Sequence, residues 1–101
     1  MSNNQNPVLL LIDETIARLK EVEDAAALVS RCAHERASSA RASFKLEPSE
    51  IGAIAMLEAV TNANSAHQSW ISAAEEVNEA MEARKCVMGS LMWKEGKRTI
   101  Q

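Results

Sequence analysis

Beyond its carboxylates and basic residues, the chain offers four side chains with metal-binding or acid–base chemistry: Cys32, His34, His67 and Cys86. Cys32 and His34 stand two positions apart, and on a helix such residues point in different directions. Neither C-x-x-C nor H-E-x-x-H, the short spacings that gather zinc ligands, occurs. A carboxylate-bridged di-iron bundle needs Glu three residues ahead of His, and Arg31 and Asn64 occupy those places. No His joins a Ser or Cys and a carboxylate in an order suited to nucleophilic catalysis, and no Gly-rich phosphate loop is present. The expectation is a protein with no catalytic residues, no cofactor and no metal.

His67 stands apart because it falls within an apolar stripe. An imidazole there could switch association near neutral pH. The commoner use is a polar layer that fixes helix register, with Asn64 or Gln68 as partners.

Charge is patterned more clearly than chemistry. The formal net charge is −3, but segment 1–25 carries −3, 26–46 carries +3, 47–83 carries −7 and 84–101 carries +4. No Lys or Arg occurs from Leu46 to Ala83. Asp13, Glu14, Glu75, Glu76, Glu79 and Glu82 are the candidate contacts for a basic partner, with Met92 and Trp93 as apolar contacts. Arg31, Arg36 and Arg41 form a smaller basic face that could touch nucleic-acid phosphates. No aromatic side chains are interleaved with them for base stacking.

The elements that must carry these residues are helices. Only three Gly and two Pro occur in 101 residues, too few turn formers for a many-stranded sheet. Forty residues separate Pro7 from Pro48 and thirty-six separate Gly52 from Gly89, all rich in helix formers. Asn6-Pro7 reads as N-cap and first helical residue after an irregular start at 1–6. Helix 1 is expected over about 7–43, helix 2 over about 48–88 with Pro48 and Glu50 at its start, and 90–101 as a tail or extension. Ser65 with Gln68 fits a capping box that could break helix 2 near 62–65. An unbroken apolar stripe through Ala63, His67 and Trp70 favours continuity.

In helix 1 that stripe includes Val8, Ile12, Leu19, Val22, Val29 and Ala37, with one irregular step between Ala33 and Ala37. In helix 2 it includes Met56, Val60, His67, Trp70, Met81 and Leu91 in strict alternation of three and four. A short connection makes the helices antiparallel neighbours. Folding at 45–47 pairs positions whose numbers sum to about 93, which sets His67 near Ala26 and Cys86 near Pro7. The bulky residues of helix 1 then face Ala73, Ala74 and Ala80, while its Ala-rich end faces Ile54, Met56, Leu57 and Val60.

One hairpin leaves apolar surface over, notably at Leu9 to Leu11 and Val87 to Trp93. The expected fold is therefore all-α: an antiparallel hairpin of two long helices, dimerising into a four-helix bundle. A tail folded back over the open end is the alternative. The polar start and the short apolar run Val8–Ile12 make neither a signal peptide nor a membrane span, so a cytoplasmic setting is expected.

The stretch Ile12-Asp13-Glu14-Thr15-Ile16-Ala17-Arg18-Leu19 is similar to the first helix of the chorismate mutase family. The Arg and Lys set that would hold a dicarboxylate between helices is missing, so no activity follows. In size, charge and helix content the chain resembles bacterial immunity proteins and helical secretion chaperones. That resemblance implies a small acidic inhibitor or adaptor, not an enzyme, that docks a partner through an acidic helical flank. A nucleic-acid-associated regulator using Arg31, Arg36 and Arg41 is the alternative reading, and a small helical enzyme the third.

Overall fold

The computed structural model describes residues 6–100, with side chains described from Asn6 to Leu91. It is a hairpin of two α-helices, α1 (Pro7–Leu46) and α2 (Glu50–Ile100). The expected irregular start at 1–5 lies outside the described residues. α1 begins where the sequence implied: the Asn6 side chain accepts from the Val8 N–H at 2.8 Å, and Pro7 takes the first helical position. Its end is three residues beyond the expected one, closed by the Glu47 N–H donating to the Ser43 carbonyl at 2.9 Å.

α2 does not begin at Pro48. Ser49 is the cap, its hydroxyl accepting from the Gly52 N–H at 3.0 Å. The helix then runs unbroken for 51 residues, through the 62–65 stretch and past both Gly89 and Gly96. A Cβ built at Gly89 meets nothing within 4 Å, so no close packing requires glycine there. One mid-helix glycine costs about 1 kcal/mol against Ala, too little to end a helix by itself. Residues 90–100 therefore extend α2 and do not fold back.

Side chains turned towards the partner helix recur in strict alternation of three and four. In α1 they pass through Leu9, Ile16, Leu19, Glu23, Ser30 and Ala37 to Phe44. Of the expected stripe Ile12, Leu19 and Ala26 turn inward, but Val8, Thr15, Val22 and Val29 are exposed and their neighbours Leu9, Ile16, Glu23 and Ser30 take the inward places. In α2 the inward side runs through Met56, Ala63, Trp70, Val77 and Arg84, widened by a half-buried rank that includes Val60, His67 and Ala74. Ile54, Leu57 and Met81, expected inside, are exposed.

The best-buried residues are small: Ser30, Ala37, Ala63, Ala73 and Val77. Small side chains at a helix contact shorten the distance between axes. No large side chain is fully buried among the described residues. The molecule spans 78 × 26 × 14 Å, a single layer two helices wide.

The connection centres on Pro48, not on 46, so facing residues have numbers summing to about 97. Asp13 and Arg84 face each other and pair at 2.6 Å. The shift from the expected register is close to one helical turn.

Overpacking of the Ala seam tests this arrangement. Ala37→Leu should cost about 1–3 kcal/mol in urea unfolding, whereas exposed Ala42→Leu should stay within about 0.5 kcal/mol. Gly89→Ala should stabilise by up to about 1 kcal/mol.

Candidate functional site: a cross-helix histidine layer between two flanks

The register shift brings together two residues that the expected register kept apart. The rings of His34 and His67 lie 5.9 Å apart, edge to face, and His67 lies 5.6 Å from Trp70 in a similar arrangement. The geometry follows from helix direction. Side chains lean towards the N-terminus of their own helix, so in antiparallel neighbours His34 and His67 lean towards one another. His34 Nδ1 is 2.7 Å from the Ser30 carbonyl, which can only accept, so that nitrogen donates.

The polar layer is thus His67 with His34 and Ser30 of α1. Asn64 and Gln68, expected as its partners, are exposed on α2. Ser30 and His34 are the residues sequence reasoning missed. Their signal was the regular three–four alternation through Glu23 and Ser30, which a stripe chosen for hydropathy steps over. Two imidazoles are within reach of one ligand here, but no group of three or more metal-capable side chains exists among the described residues.

This layer divides the hairpin into two flanks. The first holds His34, His67 and the Asp13–Arg84 pair. Along it α2 exposes Leu57, Ile71 and Met81. The second flank is marked by a shallow groove between Ala33 and Arg36 of α1 and Ala55, Glu58 and Asn62 of α2. Continuing at helical spacing from Arg36 towards the start of α1, this flank carries Val29, Val22, Leu11 and Val8, all at least half exposed. From Glu58 along α2 it carries Glu76 and Glu79. At the turn, Leu46 and Ile51 are 85% and 82% exposed.

The expected acidic contacts do not share one face. Asp13 lies on the first flank and is held by Arg84. Glu76 and Glu79 lie on the second. Glu14, Glu75 and Glu82 fall on the outer backs of their helices, and Glu82 pairs with Lys85 at 3.4 Å. The cause is angular: Glu75 and Glu76 are about 100° apart on a helix with 3.6 residues per turn. Met92 and Trp93 lie on α2, but their side chains are outside the described residues. Arg31, Arg36 and Arg41 are exposed, with Arg36 turned to the second flank and the others towards the first.

Cys32 and Cys86 are both exposed free thiols. No helix among the described residues is long and apolar enough to cross a membrane. Comparisons with protein-family models, curated proteins and solved structures find no match.

The Asp13–Arg84 pair is 49% and 43% exposed, so it guides register more than it stabilises. A double-mutant cycle with Asp13→Ala and Arg84→Ala should return a coupling below about 1 kcal/mol that shrinks in molar salt. A coupling of several kcal/mol that persists in salt would contradict this.

Proposed function

We propose that the chain is a non-enzymatic protein–protein interaction module, a small acidic adaptor or inhibitor that associates with itself and docks a basic partner. The observation that carries this reading is the second flank, where exposed Leu11, Val22 and Val29 of α1 run beside exposed Glu76 and Glu79 of α2. An apolar stripe at helical spacing, edged by carboxylates, suits an amphipathic helix with basic margins.

Surface area supports self-association as well. The chain exposes 8031 Å². A compact monomer of this mass exposes roughly 5,600 Å². The excess, roughly 2,400 Å², is about three times what one partner contributes to a standard interface, about 800 Å². Two exposed thiols suit a reducing setting such as the cytoplasm. Immunity proteins and secretion chaperones remain the models for such a job. A nucleic-acid-associated regulator using Arg31, Arg36 and Arg41 is disfavoured by the division of those three between opposite flanks.

The replacement Glu75→Gln, Glu76→Gln, Glu79→Gln, Glu82→Gln should abolish co-purification of a basic protein while leaving the helical circular dichroism unchanged. Val22→Asp with Val29→Asp should do the same, and neutral replacement of the three arginines should not. Retention of duplex DNA at about 150 mM salt, lost on replacing the arginines, would favour the regulator instead.

A further inference from the structure

The stripe of α2 on the first flank, exposed at Leu57, Asn64, Ile71, Asn78, Met81 and Lys85 and half-buried between them, has a partial symmetry of residue type. Outward from Ile71, Asn64 and Asn78 each lie seven residues away, and Leu57 and Lys85 each lie fourteen away. Val60 and Met81 are eleven and ten away, and Ala53 and Met88 are eighteen and seventeen. All of these positions fall on one helical stripe with His67 and Ala74, alternating by three and four. About Ile71 the pairs Asn64/Asn78, Val60/Met81 and Ala53/Met88 match in type, whereas Leu57/Lys85 and His67/Ala74 set an apolar residue against a polar one.

The matched positions, with Ile71 at their centre, complement themselves when a second helix of the same sequence crosses antiparallel. We infer that α2 pairs with α2 of a second copy of this chain, antiparallel, on the flank that holds His34 and His67, about a two-fold axis through Ile71. Isologous contact demands that residue i meet j while j meets i, and this pattern supplies it. Ile71 meets its own mate, and Val60 of each copy meets Met81 of the other. Asn64 of each meets Asn78 of the other. Each amide carries both donor and acceptor, so these pairs bond to one another and pin the register within an apolar seam. Leu57 lies against the aliphatic stem of Lys85, whose ammonium reaches solvent.

The excess surface of the hairpin is more than one partner's share of a standard interface, so one such contact leaves part of it uncovered. The other flank lacks this symmetry. Its stripe from Val8 to Val29 centres on Arg18, which an antiparallel copy would set against its own mate. Self-association therefore takes the first flank and leaves the second, with Glu76 and Glu79, to the other partner.

The inference rests on the reading of the chain as an association module and assigns the face and symmetry of its first contact. Its test is cysteine cross-linking of the full chain in a Cys32→Ser, Cys86→Ser background. Ile71→Cys should oxidise to a covalent dimer. Asn64→Cys and Asn78→Cys should each fail to link alone, yet link to one another when the two chains are mixed. Ser69→Cys, on the second flank, should stay monomeric under the same oxidation.

Sedimentation equilibrium of the wild type at tens of micromolar should give about twice 11.0 kDa. Ile71→Glu should weaken dimerisation roughly a hundredfold or more with helix content retained, because it buries an unpaired carboxylate at the axis. Val22→Glu should leave the dimer intact. A dimer that links through Asn64→Cys alone, or not through Ile71→Cys, overturns the antiparallel register while association itself stands. A wild type that sediments as a monomer overturns both.

Discussion

Two helices lying in one layer cannot enclose a core, and the rest of this structure follows from that constraint. Each helix can turn one side towards its neighbour and must leave the remainder open. Ala37, Ala63 and Ala73 make that contact close but contribute little burial apiece. The hairpin compensates by length, with α2 running 51 residues. Large apolar side chains that a rounder protein would bury, such as Leu57 and Val29, stay in solvent at 60% and 59%. A single hairpin thus leaves large apolar side chains uncovered.

The two flanks differ in their chemistry. One is polar at its middle, where His34, His67 and Ser30 meet across the helices. The other combines valines from α1 with carboxylates from α2. A single hairpin thereby presents two chemically distinct surfaces, and a change on one flank need not disturb the other.

Much of this was legible in the sequence, and the failures have physical causes. The helix start at Asn6-Pro7 followed from local rules, and the lack of any break at Ser65 from the unbroken stripe through Ala63, His67 and Trp70, against the local capping signal. Ser49 was overlooked because Pro48 and Glu50 fit a helix start equally well by composition. The larger error lay in the α1 stripe. Val22 and Val29 are more apolar than Glu23 and Ser30, yet the latter pair keep the regular alternation that antiparallel packing demands. Geometry outweighed hydropathy at those two turns. The register error had one source, the centre of the connection, and it displaced every cross-helix pair by about a turn. The His34–His67 contact and the Asp13–Arg84 pair were hidden for that reason alone. The acidic surface was misjudged because neighbours in sequence were treated as neighbours in space.

The elongated outline bears on how the molecule moves. A particle 78 Å long and 14 Å thick meets far more drag end over end than when it spins about its long axis. Its rotational diffusion is strongly anisotropic, and its Stokes radius exceeds that of a sphere of equal mass. Gel filtration against globular standards would therefore overstate its molecular weight, and a lone hairpin could elute where a compact dimer is expected.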